Sequence, residues 1–186
     1  VYKGRTYVLW QGQLDTLRAV LRHVPMDADL GPLGTRAAQH LQLLHWERQA
    51  DSLLQILTTA RVPVFEGTNF YLPTSLYAAW AHQLRGDRPA ARAAFDSARV
   101  LLDSVMRELP DDWRVHAARG LALAGLSRRD EALREARWLQ QSVIYREDTL
   151  EGPMCAEDRA RILAQAGDAD TALDEIERLL AGPSWL

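Results

Sequence analysis

Cysteine is nearly absent. Cys155 stands alone in 186 residues, which excludes any disulfide within the chain and any thiolate cluster for zinc. Lysine is equally scarce: Lys3 is the only one, and it lies in no Gly-rich phosphate loop. A GxSxG elbow is missing as well, so the best-known nucleophile motif has no counterpart. No apolar run approaches the ~20 residues that cross a bilayer, so this segment is expected not to insert into a membrane. An excess of one charge is also lacking. The net charge is −3, with 22 basic and 25 acidic residues interspersed, and no footprint for nucleic acid or an acidic membrane is expected. An initiator Met and a signal-peptide pattern are missing before Val1, and the end at Trp185 and Leu186 is abruptly apolar. The chain is therefore expected to be a fragment of a longer protein whose following helix covers that face.

What is present is a repeating unit, clearest in the stretch 77–110. It reads as an amphipathic helix, a Gly86-Asp87 turn, and a second helix with Ala91, Phe95 and Ala98 at helical spacing. Helices joined so tightly pack antiparallel, and small residues at the crossing let their backbones approach. The offsets of five, nine and twelve residues from the turn recur as Ala132, Ala136 and Leu139 after Ser127, and as Ala172, Ile176 and Leu179 after Gly167. They recur more loosely as Leu17, Leu21 and Val24 after Gly12, and as Leu53, Leu57 and Ala60 after Arg48. Seven residues before the three clearest turns lie Ala79, Gly120 and Ala160, all small.

Taken in order, the pattern predicts the remnant of a helix over 1–10 and a second helix over 14–23, stopped by Pro25. A Gly, Asp and Pro-rich loop follows. Helix pairs are then predicted over 35–45 and 49–59, 74–85 and 88–109, 113–124 and 128–141, and 153–166 and 169–180. Pro89 is tolerated in a first helical turn. Asp111 or Asp112 is expected to cap the helix that follows, and Ser127 with Asp130 resembles a capping box. The segments 61–73 and 142–153 read as long connections, the first loosely packed. Gly182 and Pro183 form a helix stop.

These residues resemble the tetratricopeptide repeat, a helix-turn-helix unit of about 34 residues, strongly from Thr74 onward and more weakly before it. The resemblance implies an all-α, right-handed superhelix of antiparallel helix pairs. It would be one domain over 1–186, of about five pairs with internal turns near 12, 48, 86, 127 and 167. It also implies a concave groove lined by the first helices. Mapped from the turns, the groove positions are Gln39, Gln42, Tyr77, Trp80, Arg114, Ala118, Leu121, Asp158 and Arg161, where aromatic and Arg residues would make a hot spot, with burial between repeats the alternative for Tyr77 and Trp80. Some members of the family clamp a peptide's terminal carboxylate with Lys and Asn at these positions, which this chain does not carry. The runs GDRPAARAAFDSARVLL and LPDDWRVHAARGLALAGL, and the ending from Glu151, also resemble the carboxy-terminal repeats of bacterial serine/threonine kinases and adenylate cyclases. Abundant alanine with one lysine points to a GC-rich bacterial genome rather than to a function.

Candidates for chemistry are few. His40 and His45 are five apart, which does not put both on one helix face as zinc-binding helices require. A site built with Glu47 as a third member would need those side chains to converge. Glu108, Asp111 and Asp112 read as helix-terminus acids. Cys155 reads as a buried, inert thiol, and Trp46, Trp113 and Trp138 read as packing between helices. The expected function is a protein- or peptide-binding scaffold with no catalysis and no cofactor, acting as a regulatory or adaptor segment, in the cytoplasm or, if a missing part carries a membrane anchor, outside it. The alternative is self-association into a homodimer through apolar residues near Trp185.

Overall fold

The computed structural model describes residues 12–31, 34–59 and 62–181. It is mostly helical. The described residues form ten helices and one two-stranded sheet: α1 (Asp15–Leu21), α2 (Arg36–Trp46), α3 (Ala50–Thr59), β1 (Val64–Gly67), β2 (Phe70–Pro73), α4 (Thr74–Leu84), α5 (Arg88–Val105), α6 (Trp113–Gly125), α7 (Arg129–Gln141), α8 (Val143–Glu147), α9 (Gly152–Gln165) and α10 (Ala169–Ala181).

Four helix pairs turn back in the same way. Arg48, Gly86, Ser127 and Gly167 sit in the left-handed region at φ of 57, 75, 61 and 81°. The next residue's N–H then donates to the carbonyl five positions earlier, Gln49 to Leu44, Asp87 to His82, Arg128 to Leu123 and Asp168 to Leu163, each at 2.9 Å. This closure satisfies carbonyls that a helix end otherwise leaves open. Glycine takes that conformation without strain, whereas Arg48 and Ser127 take it with a Cβ. After the Gly86 turn, the side chain of Asp87 accepts from the Ala90 N–H and starts α5.

The repeated apolar positions face inward. Leu53, Ala91, Phe95, Ala98, Ala132, Ala136, Leu139, Ala172 and Leu179 are all buried. The second helix of each pair packs on the first helix of its own pair and on that of the next, α3 on α4, α5 on α6 and α7 on α9. The contact between pairs is tight enough to need a missing side chain. A Cβ on Gly125 of α6 would come within 2.4 Å of the Phe95 ring of α5. Ile176, at the position equivalent to Phe95, is 42% exposed because it lies on α10, which no later described helix covers. One buried cluster runs from Ala38 to Ala172, with a smaller one of Leu17, Leu21 and Leu43 between α1 and α2.

Two ion pairs on buried carboxylates occupy equivalent places in the last two pairs. Arg119 and Arg159 lie eight residues before the turn residue, and Glu135 and Glu175 lie eight after it; Arg119 pairs with Glu135 and Arg159 with Glu175. Glu135 also lies 2.6 Å from Nδ1 of His116, while Arg119 Nε donates to Asp103 of α5 at 2.6 Å. Glu175 accepts from the Tyr145 hydroxyl of α8 at 2.9 Å, and Arg159 Nε donates to the Ala136 carbonyl of α7 at 3.2 Å. Each carboxylate thus gathers donors from neighbouring elements, as a buried charge requires.

Several expectations are corrected. The stretch 61–73 holds an antiparallel hairpin, with Phe65 facing Leu72 and Gly67 facing Phe70 across the ladder. β-prone Val64, Phe65, Phe70 and Tyr71 flank a Gly-Thr-Asn turn, and Thr74 N–H closes the base on the Pro63 carbonyl at 2.9 Å. The stretch 142–153 contains the short α8, capped by the Ser142 side chain. Helix α5 stops at Val105 and leaves Leu109 outside it, 42% exposed. Ser127 makes no capping box, because it is the left-handed turn residue and the following cap, Arg128, accepts nothing through its side chain. Asp112 is the acid that caps α6, accepting from the Arg114 N–H at 2.9 Å. The expected helix over 1–10, the stop at Gly182 and Pro183, and Trp185 and Leu186 lie outside the described residues.

The Phe95–Gly125 contact yields a stability prediction. Gly125→Ala is expected to destabilise the chain by about 1–3 kcal/mol through overpacking, although alanine favours a helix more than glycine does. A lower urea midpoint at unchanged slope would show it; an unchanged midpoint would contradict the close approach of α5 and α6.

Candidate functional site

Three first helices and the hairpin converge on one pocket of about 190 Å³. Helix α2 supplies Gln42 and Trp46, the hairpin supplies 69–72, α6 supplies Arg114 and Ala118, and α9 supplies Met154, Glu157, Asp158 and Arg161 among others. Trp46 sits at the end of α2, lines the pocket and is 36% exposed. Phe70, Tyr71 and Leu72 form a half-buried apolar wall.

The hairpin is fastened across this face at its turn. Arg114 of α6 donates through Nη1 to the Gly67 carbonyl at 2.7 Å, and its Nη2 lies 3.2 Å from Glu66. The same guanidinium donates to both carboxylate oxygens of Asp112, at 3.0 and 2.6 Å. Asn69, next in the turn, places its amide nitrogen 2.8 Å from the Met154 sulfur of α9. Hydrogen bonding and charge from Arg114 hold the Asp112 carboxyl below its ordinary range, against burial that pushes it up.

On the opposite wall Arg161 donates to Asp158 at 2.8 Å, with its guanidinium 5.4 Å from the centre of the Trp80 ring. Burial raises the Asp158 carboxyl, and the attraction of Arg161 offsets this only in part. Behind them His45 packs on Trp80 at 5.0 Å between ring centres. Its Nδ1 and the Trp80 Nε1 are buried without a hydrogen-bond partner.

The mapped groove positions divide into two groups. The structure brings Gln42, Arg114, Ala118, Asp158 and Arg161 to this one pocket. It does not bring Gln39, Tyr77, Trp80 or Leu121 to a ligand-facing surface; these are 1%, 1%, 4% and 0% exposed. For Tyr77 the physical reason is the hairpin, whose Phe65 lies edge-on to it at 6.0 Å; Trp80 is covered by Tyr77, edge-on at 5.4 Å, by His45 and by the Arg161 guanidinium. Trp46, read from sequence as interhelical packing, instead lines the pocket. The signal that could have revealed the hairpin is the run VFEGTNFYLP, two aromatic-rich strands about a Gly-Thr-Asn turn.

Of the candidates for chemistry, His40 and Glu47 line one pocket against α1, Glu47 paired with Arg18 and His40 3.4 Å from Arg36, while His45 faces Trp80 apart from them. Cys155 is fully buried, and burial pushes its thiol up to about 12, which suppresses the thiolate. Trp113 is buried, with its indole N–H donating to Glu151 at 2.9 Å, and Trp138 stacks on His116 at 3.4 Å. Among the described residues, no group of three or more His, Cys, Asp or Glu is arranged to hold a metal, and no helix is long and apolar enough to cross a membrane. Compared with family models, with curated proteins and with solved structures, the chain has no match.

The His45 site predicts a pH dependence. Burial first, then Arg161 and Arg48, lowers its imidazole from 6.5 to about 4. Between those values the unfolded chain takes up a proton that the folded chain refuses. The stability held by neutral His45 is thus complete above about pH 6.5 and falls as the pH drops toward 4; Asp158, shifted upward, works in the opposite direction. A loss of about 1–2 kcal/mol between pH 7 and 4.5 is expected, smaller in His45→Leu. Parallel denaturation curves for the two proteins at both pH values would contradict it.

Proposed function

We propose that the chain is a tetratricopeptide-like stack, one right-handed superhelical domain whose first helices line a concave face, and that it binds a protein or peptide there. The observation that carries this reading is the pocket in which Trp46, the hairpin wall and the charged edge of α9 meet. At about 190 Å³ it is smaller than the ~300–1,000 Å³ typical of sites that enclose a metabolite, and suits one anchoring side chain of a longer partner. An exposed tryptophan beside arginines is the composition of a binding hot spot. The four identical turns support the repeat reading. In this account the segment is a regulatory or adaptor part of a bacterial signalling protein, cytoplasmic and without catalysis of its own. That Glu47 is paired with Arg18, and that His45 packs on Trp80 away from His40 and Glu47, favours a scaffold over a hydrolytic site.

A second reading, self-association, is favoured by α10. Leu173, Ile176 and Leu180 share one face and are 58%, 42% and 70% exposed. A second copy of the chain could cover that stripe.

One experiment separates the readings: pull-down from lysate of the source organism with the wild type and with Trp46→Ala, alongside sedimentation across a range of concentrations. The half-exposed position predicts a change in stability within about 1 kcal/mol. The groove reading expects a monomer that captures a partner which Trp46→Ala loses. A concentration-dependent dimer, unaffected by Trp46→Ala and without a captured partner, would replace it with self-association.

A further inference from the structure

The pocket that His40 and Glu47 line against α1 has a volume of about 320 Å³ and shares no residue with the one that holds Trp46. Its ionisable lining is Arg18, Arg22, Arg36, His40 and Glu47, three arginines and one acid. That acid is fully engaged. Its Oε1 accepts from Arg18 Nε at 2.9 Å and its Oε2 from the Gln49 amide at 2.7 Å. Arg18 also pairs with Asp15, which is 88% exposed and lies outside the pocket. With Asp15 counted as well, three arginines stand against two acids, so the local charge stays positive.

Arg22 and Arg36 pair with no carboxylate among the described residues. Arg22 is exposed at the end of α1, but Arg36 is only 8% exposed. Its Nε and Nη2 donate to the Leu21 carbonyl at 3.1 and 2.8 Å, and its Nη1 lies 3.4 Å from Nδ1 of His40. These contacts leave one N–H on each terminal nitrogen without a partner among the described residues. A carbonyl and an imidazole satisfy donors without cancelling the charge, and a buried charge ordinarily has a counter-ion. Burial lowers the Arg36 guanidinium, and no carboxylate opposes it. Burial first, then Arg36, lowers His40 as well, with Glu47 opposing, so the ring is neutral at pH 7. Because arginine only donates, Nδ1 of His40 accepts and Nε2 carries the ring proton, a further donor at the site.

We propose that this pocket binds the phosphoryl group of a small phosphorylated molecule, its oxygens accepting from Arg36 and Arg22 and its organic part resting on Leu21, Leu43 and Leu44. Two guanidiniums without a carboxylate match a doubly charged group, whereas a single carboxylate answers only one of them. The free N–H groups of Arg36, one on each terminal nitrogen, suit the two-oxygen contact that arginine makes with phosphate. The cavity lies at the lower end of the ~300–1,000 Å³ typical of small-molecule sites, and its floor of three leucines is apolar.

The test is an NMR titration of the isotopically labelled chain at constant ionic strength, following the Arg36 Nε–H and the His40 ring. The probes are glycerol 3-phosphate, acetate and N-acetyl-Ala-phosphoserine-Ala amide. Glycerol 3-phosphate is expected to give saturable shifts at both groups, with Kd on the order of 1 mM. Acetate should bind at least about tenfold more weakly, and the phosphoserine peptide no more tightly than glycerol 3-phosphate. Glycerol 3-phosphate should lose about tenfold in affinity in Arg22→Gln and in Arg36→Lys, which keeps the charge but not the fork. The exposed Arg22 keeps the test available if Arg36→Lys does not fold. Acetate bound as tightly as glycerol 3-phosphate would overturn the phosphoryl assignment. The phosphoserine peptide bound about tenfold more tightly would replace the small molecule with a phosphorylated chain. Affinity unchanged in the folded arginine variants, or no saturable shift from glycerol 3-phosphate up to about 20 mM, would overturn the site itself. None of these outcomes bears on the pocket at Trp46, so the peptide-binding reading stands or falls separately.

Discussion

One left-handed residue at each internal turn, with the backbone bond that closes behind it, sets the angle between the two helices of a pair, and the other contacts follow from that angle. The four closures are alike in geometry although two of them are made by Arg48 and Ser127 rather than glycine. Because the turns are alike, the positions five, nine and twelve residues beyond them meet similar surroundings. Small residues are then required where backbones approach, as at Gly125 beneath the Phe95 ring. The equivalent placement of Arg119–Glu135 and Arg159–Glu175 is another consequence: identical pairing of helices offers the same buried slot twice, and the same two side chains fill it.

The helical part of this arrangement was legible in the sequence, and the reason is local. A turn residue, an alanine at a crossing and a 3.6-residue apolar stripe are all signals within one pair of helices, and α4 to α7, α9 and α10 lie close to where those signals put them. Where the signals depend on a neighbour, sequence reasoning lost accuracy. The apolar series through Val105 and Leu109 continued past the point where α5 stops, because nothing in its periodicity reports the turn at 106–108. The hairpin was the larger omission. Its strands are four residues each and lie between two prolines, too short for periodicity to register. Its consequence is felt on α4: Tyr77 and Trp80 occupy positions that would face a groove, but Phe65 packs on Tyr77, and Tyr77, His45 and Arg161 cover Trp80. Trp46 shows the converse, an aromatic at a helix end that the approach of the hairpin and α9 turns into a pocket wall.

The hairpin thus acts on two scales. It completes the core of the third pair, burying Phe65, and it narrows the open face until the space left matches a single side chain. Arg114 is the link between them, since one guanidinium joins the helix cap at Asp112 to the hairpin turn at Gly67. The function proposed for the chain follows from this order of construction, from turns to stacked pairs, from stacked pairs to a shared face, and from the hairpin to a pocket on it.

The most direct test of the account is site-specific photocrosslinking in cells of the source organism. Benzoylphenylalanine would replace Trp46, which lines the pocket, and, separately, Val100, which is 54% exposed on α5 and contributes nothing to the pocket. The account predicts a discrete adduct with a partner from position 46 and none from position 100. Adducts of equal yield from both positions, or from position 100 alone, would contradict the claim that the face formed by the first helices and the hairpin is where this protein meets its partner.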